Sequence, residues 1–321
     1  MPQAKAITLA PTALDRNGLS TTETLLATRL DYLINGALAV SGSYDRNGIA
    51  TAQTTAGSTA LTLDGALGVN FRDRKGVYIL IYAASADNTG ITFEVVGLDS
   101  FGKPLRETIT GPDSGLIVLG ATRFWKIDSV TPSAAIDGNV EVGVNGYATF
   151  TTPQHMAAYS AADDSGETVT FLGEDRYDRS MTETITGAGA GATVATSNNY
   201  KRIDRITASG AGAGATEGGI NGICESQWYV LNYRGNDFNV GLGLDIVSGT
   251  LTAAVQHTFS NVLAEGFREI DANVHTHDTI TGKSADFDGN YTNPPVACRL
   301  AITAFTSGSA VLRIVQSGNG S

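Results

Sequence analysis

The chain has 321 residues, of which 38 are glycine and 38 are threonine, with 17% charged residues and a formal net charge of −11 at pH 7. Threonine favours strands and scattered glycine favours turns, so long helical bundles and coiled coils are disfavoured. Hydrophobic residues reach 42%, which is enough to bury cores and argues against a disordered chain.

The acidic balance also restricts the partners. A net-acidic chain without a basic block is poorly suited to phosphate backbones and to anionic membrane surfaces. The longest apolar stretch, residues 77–84, is much shorter than the roughly 20 residues that a membrane helix needs. We therefore expect no nucleic acid and no membrane insertion. We expect the two cysteines, Cys224 and Cys298, to be buried thiols.

The N-terminal segment contains a short internal echo and one candidate helix. Asp15-Arg-Asn-Gly18 recurs as Asp45-Arg-Asn-Gly48, and Asn-Gly is a tight-turn signal. Between the two, Ser20-Thr-Thr-Glu23 resembles a capping box and precedes leucines at helical spacing. This pattern predicts one short helix that ends at Asn35-Gly36, after which strand patterning resumes.

The most informative feature is a long internal repeat. Residues 85–146 align with residues 161–222 without a gap, with 23 identities in 62 positions. For example, Glu107-Thr-Ile-Thr-Gly111 recurs as Glu183-Thr-Ile-Thr-Gly187. Self-similarity over this length indicates one supersecondary unit that occurs twice.

Each unit has the pattern of short strands divided by turns. Residues 91–96 alternate in polarity and are predicted to pair with residues 105–110 as a hairpin. Beyond about residue 223 the composition changes. There, residues 299–305 and 310–316 flank a turn and are predicted to form a second hairpin within a C-terminal β-sandwich.

The predicted fold is therefore all-β, with tandem small β-sandwich or barrel modules, an internal duplication, a C-terminal β-sandwich and one short N-terminal helix. The expected parts are an N-terminal arm or assembly segment at 1–70, a first β module at 71–150, its repeat at 151–222 and the C-terminal sandwich at 223–321.

The histidines supply the best candidate for a metal site. On a strand, His275 and His277 face the same side and could share an ion. The third ligand is not identifiable, since Asp271, Asp278 and Asp286 are equally open choices. Exposed histidines explain the pattern more simply. The sequence also contains neither a phosphate-cradling loop nor a nucleophile elbow. We therefore expect no metal, no cofactor and no catalytic residue.

Four aromatic residues are candidates for interaction. Trp125 is replaced by Lys201 in the second unit, so it belongs either to a core or to an exposed edge that anchors a neighbour. Trp228, with Tyr229 and Tyr233, belongs either to the core of the sandwich or to a platform that binds a sugar or a subunit. In both cases the core is the favoured interpretation.

Several of these segments resemble β-rich modules of structural proteins in tailed-bacteriophage virions. The resemblance lies in the strings that run from Thr92 to Pro112 and from Phe124 to Gly143, in residues 9–18 and in the final hairpin. It implies a non-enzymatic building block that is made in the host cytoplasm and mounted on the particle. Its partners would be copies of itself and other virion proteins. The resemblance does not distinguish tail, neck and capsid surface.

Two classes of function follow. The first is a homo-oligomeric virion structural protein on the outside of the particle, as a sheath-like tail or neck component or as capsid decoration. The alternative is a receptor- or glycan-binding adhesin of the virion, with exposed aromatic platforms and a host surface glycan as partner. An enzyme such as a depolymerase is disfavoured, because the period of the repeat, from residue 85 to residue 161, is too long for a β-helix rung.

Overall fold

The computed structural model describes residues 3–9, 23–24, 31–32, 45–71, 75–209, 213, 215–220, 222–233 and 239–316. For residues 3–9, 23–24, 31–32, 151 and 215–217 it describes the backbone alone. The fold is all-β, and every pairing between the described strands is antiparallel. In the described residues, no helix has the length and apolar character needed to cross a bilayer.

The strands of the N-terminal half are β1 (Gln3–Leu9), β2 (Glu23–Thr24), β3 (Asp31–Tyr32), β4 (Asp45–Gln53), β5 (Val77–Ala83), β6 (Thr92–Leu98), β7 (Pro104–Thr110), β8 (Ile117–Phe124), β9 (Lys126–Pro132) and β10 (Val140–Val144). They are followed by β11 (Ala148–Ser160), β12 (Thr168–Glu174), β13 (Ser180–Thr186), β14 (Thr193–Ala208) and β15 (Ala215–Ile220). The remaining strands are β16 (Cys224–Glu225), β17 (Tyr229–Val230), β18 (Val240–Ser248), β19 (Leu251–Thr258), β20 (Val274–Thr276), β21 (Phe287–Tyr291), β22 (Ala297–Phe305) and β23 (Ser309–Gln316), with a 3-10 turn at Glu269–Asp271.

Strands β4–β10 form a unit that we call repeat 1. A four-stranded sheet in the order β4-β10-β5-β8 and a three-stranded sheet in the order β7-β6-β9 enclose one core. Alternation along β6 directs Phe93 and Val95 inward, where they meet Ile79, Ile81 and Phe124, all fully buried. Burial of this apolar surface is the main source of stability for the unit.

Strands β11–β15 form repeat 2, which is built as one sheet. The order is β13-β12-β14-β11-β15-β2, and β3 also pairs with β14. Its core contains Phe171, Tyr200, Ile203 and Ile206. The difference from repeat 1 arises at one place: β14 is continuous, whereas the equivalent stretch of repeat 1 is interrupted at Trp125, which separates β8 from β9.

The internal duplication is confirmed by strand register. In repeat 1, Thr92 is the partner of Thr110 across β6 and β7. In repeat 2 the partners across β12 and β13 are Thr168 and Thr186, the two positions that the sequence alignment makes equivalent to them. Each unit also has a register shift at the same place, just before Gly97 in one and Gly173 in the other. The hairpin predicted from residues 91–96 and 105–110 is therefore correct in both copies.

Strands β16–β23 form the terminal domain, a sandwich of two sheets. One has the order β1-β23-β18-β21 and the other the order β16-β22-β19-β20, with β17 also paired to β22. The core between them includes Leu244, Val255, Leu300, Ile302 and Leu312. The predicted C-terminal sandwich is thus confirmed.

The predicted final hairpin is wrong in its pairing. Both strands exist, but β22 pairs with β19 while β23 pairs with β18 and β1, so the two strands lie in opposite sheets. The turn that contains Gly308, at φ 106°, carries the chain from one sheet to the other. Apolar residues on both strands, such as Ile302 and Ile314, then face the same core from two sides. Alternation alone predicts the strands but not the sheet to which each belongs.

The predicted N-terminal helix is wrong at the residues that can be described. Glu23–Thr24 and Asp31–Tyr32 are short strands, and the rest of that segment, including Asn35-Gly36, lies outside the described residues. Threonines 21, 22, 24 and 28 have branched side chains that favour extended backbone. The division of the chain at residues 70, 150 and 222 stays a prediction. Among the described residues, Ile49 and Leu61 belong to the core of repeat 1.

Candidate functional sites: two charged joints and an imidazole cluster

The acidic residues that the repeat duplicates have structural roles. Glu107 accepts hydrogen bonds from the backbone N–H of Ala121 and from the hydroxyl of Thr122, the latter at 2.6 Å. Glu183 accepts the corresponding bonds from the backbone N–H groups of Ser197 and Asn198. Each carboxylate therefore satisfies backbone donors of the next strand, which explains its recurrence without a shared active site.

A buried ionic network, which we call the first joint, connects repeat 1 to repeat 2. The guanidinium of Arg123, at the end of β8, donates to the carboxylates of Glu174, at 2.6 Å, and Asp204. Arg202 donates to Asp204 at 2.6 Å, and Lys75 pairs with Glu174. Glu174 is 4% exposed and Asp204 is 1% exposed, so the two carboxylates depend on these partners instead of water.

The electrostatics of the first joint follow from its burial. Burial raises the pKa of Asp204 above its usual value, even though Arg202 and Arg123 favour the ionised form. Burial would lower the pKa of Arg123, but Asp204 and Glu174 outweigh it and raise that pKa further above its ordinary value. The side-chain amide of Asn145 also donates to the backbone carbonyl of Asp204 at 2.6 Å.

A cavity of about 270 Å³ opens beside the first joint, and its lining residues are Lys75, Tyr147, Thr149, Glu174, Asp178, Lys201 and Arg202. The carboxylate of Asp178 accepts from Lys75 at 2.9 Å and from Lys201 at 2.7 Å. Arg202 lies over the ring of Tyr147, 3.8 Å from its centroid. Because opposite charges pair across the cavity wall, the arrangement fixes the contact between the two repeats.

A second joint connects repeat 2 to the terminal domain. The Nε2 atom of His155, on β11, lies 3.0 Å from the carboxylate of Glu225, on β16, and its Nδ1 atom lies 2.5 Å from the carbonyl of Thr196. Asn199 also donates to Glu225. Burial disfavours the charged imidazole, but the hydrogen bond and charge of Glu225 outweigh it and raise the pKa of His155. The same contacts, together with Arg299, hold the pKa of Glu225 well below its usual range against the effect of burial.

The hairpin turn of repeat 2 completes the second joint. Arg176 pairs with Glu269 at 2.8 Å and donates to the carbonyl of Glu225 at 2.7 Å. The ring of Tyr177 meets that of Phe267 edge-on, with centroids 6.3 Å apart. The corresponding residue of repeat 1, Phe101, is 86% exposed. The same turn therefore contacts the terminal domain in repeat 2, where Tyr177 is 39% exposed, and is far more exposed in repeat 1.

The structure does not place the two predicted metal ligands on one strand. Strand β20 ends at Thr276, so the alternation that would place His275 and His277 on one side does not extend to His277. His277 is buried, its Nδ1 atom accepts from the backbone N–H of Ile280 at 3.2 Å, and its Nε2 atom lies 3.2 Å from the carbonyl of Asn290. Both ring nitrogens of His277 are thus engaged within the fold.

His275 instead stacks on His257, its direct partner across β19 and β20, with ring centroids 5.6 Å apart. Phe259, which is 56% exposed, contacts both rings. Asp278, one of the open choices for a third ligand, is exposed. Across the described residues, no three histidine, cysteine, aspartate or glutamate side chains are grouped as a metal site would require.

The aromatic candidates are mostly covered. Trp228 is 7% exposed and lies in a small core with Val262 and Ala297, while the guanidinium of Arg299 lies 4.4 Å from its ring centroid. The ring of Trp228 is therefore enclosed by these neighbours. The other three candidates are partly buried, namely Trp125, Tyr229 and Tyr233.

Among the described residues, the most exposed aromatic side chains are Phe101 and Phe259, which the sequence patterns did not single out. Cys224 and Cys298 are free and buried, as expected. Burial raises the pKa of Cys298 to about 12, which keeps this thiol protonated and unreactive.

Comparison with known proteins adds little. No family model matches the sequence, and no curated protein is significantly similar to it. One solved structure, described as the triple jelly roll fold and turret assembly in an archaeal virus, aligns with 95% of this chain and 97% of its own. The alignment has 11% identity and a TM-score of 0.19, and at that level it supports no conclusion about fold or function.

Proposed function

We propose that the chain is a non-enzymatic structural protein of a tailed-bacteriophage virion, a homo-oligomeric β building block on the outside of the particle. It serves in the tail or neck or as capsid decoration, and it is made in the host cytoplasm. The observation that carries the proposal is the pair of buried charged joints. In these joints, titratable side chains of the kind that an active site would use are paired with one another. Their pairing holds the three β units together.

The physical argument begins at the joints. Arg123 reaches two carboxylates of the next unit, and His155 and Arg176 both reach Glu225. A buried ion pair is sensitive to geometry, because a displaced partner leaves a charge unpaired in a low dielectric. The joints therefore suit a subunit that keeps its units in fixed register. A net charge of −11 keeps the free subunit soluble, and assembly adds many weak contacts.

The test combines solution mass with incorporation into particles. The purified chain is expected to form a closed homo-oligomer as its concentration rises, as measured by light scattering. An epitope-tagged chain is expected to appear on purified particles by electron microscopy. A chain that stays monomeric at high concentration and is absent from particles would contradict the proposal. Arg106→Met, a change in an exposed ion pair with Glu94, serves as the assembly-competent control.

One observation favours the adhesin as a second candidate. Phe259 is exposed beside His257 and His275 on the edge of the terminal domain, and an exposed aromatic ring next to polar rings can stack on a sugar. A glycan array separates the two functions. A specific signal that Phe259→Ala abolishes and Phe101→Ala leaves intact would favour a host surface glycan as a partner. A blank array would leave other virion proteins and copies of the chain as the partners.

A further inference from the structure

In the part of the chain that the structure describes, the first three strands pair only with distant segments. We call β1, β2 and β3 the leading strands. Among the described residues, β1 adds to the edge of the terminal domain beside β23, through consecutive partners from Gln3↔Gln316 to Leu9↔Ala310. Strand β2 adds to β15 at the edge of repeat 2, and β3 adds to β14. None of the three pairs with another leading strand in that described part.

Strand β2 is the counterpart of β4. In repeat 1, Gln53 of β4 is the partner of Val140 on β10. In repeat 2, Glu23 of β2 is the partner of Thr216 on β15. The alignment of the two repeats places Val140 on Thr216, and the alignment of the two Asp-Arg-Asn-Gly strings places Gln53 on Glu23. The two alignments are independent of each other, yet together they predict the strand register that β2 and β15 adopt.

Strand β3 follows the same rule. In repeat 1, the backbone N–H of Leu61 donates to the carbonyl of Val130 at 2.8 Å. In repeat 2, the position equivalent to Val130 is Ile206, and its partner is Tyr32. The Asp-Arg-Asn-Gly alignment places Leu61 on Asp31, the immediate neighbour of Tyr32. Each repeat is therefore completed by a segment of its own. For repeat 1 that segment is the beginning of the unit itself, with β4 and Leu61, whereas for repeat 2 it lies earlier in the chain than the whole of repeat 1.

From this placement we propose that the leading strands are exchanged between copies, so that those of one subunit complete the sheet edges of a second copy of the chain. The inference rests on the proposed homo-oligomeric function. The contacts of β1 and β2 are additions to sheet edges through backbone hydrogen bonds, which a second copy reproduces without any new chemistry. An uncovered edge is itself prone to pairing with another chain. Exchange would pair the backbone groups at the edges of the terminal domain and of repeat 2, and it would link the subunits at the same time.

Cysteine pairs placed at register partners distinguish exchange from pairing within one chain. Thr24 is the partner of Ala215, so chains carrying Thr24→Cys are co-expressed with chains carrying Ala215→Cys and oxidised. Exchange predicts disulfide-linked dimers on a non-reducing gel. The matched control uses Gln53→Cys and Val140→Cys on separate chains, which should give no dimers because β4 serves its own repeat. The native cysteines are buried and free.

A second arm places Thr24→Cys and Ala215→Cys on the same chain. If the separate chains never link while this double variant closes within one chain, exchange is wrong. If neither arrangement links, the pairing of β2 with β15 is wrong and exchange fails with it. Light scattering on the same samples separates the two proposals. An oligomer without interchain links overturns exchange alone, whereas a monomer at all concentrations overturns the homo-oligomeric function as well.

Discussion

Replacing Arg123 by methionine tests whether the first joint holds the repeats together. Methionine keeps most of the length and apolar volume of the side chain and removes the charge. The change leaves Glu174 and Asp204, which are 4% and 1% exposed, without their shared partner. Lys75 still pairs with Glu174, and Arg202 still pairs with Asp204.

The expected magnitude follows from this residual pairing. Removing one member of a buried ion pair costs about 3–5 kcal/mol, because the other charge stays buried. With two cations remaining, we expect Arg123→Met to lower the free energy of unfolding by about 3 kcal/mol, at the low end of that range. The matched control is Arg106→Met, whose pair with Glu94 is 67% and 49% exposed. We expect this control to cost less than about 1 kcal/mol.

The assay is urea denaturation. Unfolding is monitored by the fluorescence of Trp125 or Trp228 in variants that keep only that tryptophan. The pH dependence adds an independent signature. The pKa of Asp204 is already raised in the folded state, and loss of Arg123 raises it further. The folded state then binds this proton more tightly than the unfolded state, so the penalty should shrink as the pH falls. A cost no larger than that of Arg106→Met, or a penalty that grows toward acid pH, would refute the reasoning.

Three further predictions concern other parts of the fold. A Cβ at Gly97 would collide with the carbonyl of Lys126 while one at Gly90 meets open space. Gly97→Ala should therefore cost about 2–4 kcal/mol and Gly90→Ala less than about 1 kcal/mol, as measured by urea denaturation. Because the folded pKa of His155 is raised, its contribution is present below the unfolded value of about 6.5 and lost as the pH rises through the folded value. His155→Gln should thus cost more at pH 6 than at pH 9, and equal costs would contradict this assignment. Trp228 should resist iodide quenching in the native protein, and ready quenching would mean that its ring is exposed.

The repeat could be predicted from the sequence because its identities fall at positions with strong local demands. Gly97 and Gly173 occur where the neighbouring carbonyl leaves no room for a side chain. Glu107 and Glu183 satisfy backbone donors of the next strand. Constraints of this kind act between neighbouring strands of one unit and leave the same residue types in both copies.

The joints could not be predicted in the same way, since they depend on where the two repeats differ. Asp128 and Asp204 are identical in type and equivalent in position, yet Asp128 pairs with Lys126 at the surface and Asp204 is buried. The sequence does contain one signal for the first joint, a position at which the two copies differ in residue type. Glu174 is a buried charge where repeat 1 has Leu98. A search for charges that replace apolar residues between copies would have found it.

The C-terminal strands illustrate a different limit. Alternating side chains on β22 and β23 predict two half-buried strands, and a glycine between them predicts a turn. A turn that joins two strands of one sheet and a turn that joins two sheets have nearly the same local sequence pattern. Which of them forms depends on β18 and β19, which supply the pairing partners from a much earlier part of the chain. That long-range choice is not encoded in the turn itself.

The uninterrupted course of β14 has a consequence for local opening. This strand pairs with β12 along one part of its length and with β11 along another, so we expect its paired amides to open only when the unit unfolds. In repeat 1 the strand is interrupted at Trp125, and we expect the amides around this break to open without disturbing the rest. The two units share one sequence pattern, but they should therefore exchange their amide hydrogens on different timescales, with the slowest in repeat 2.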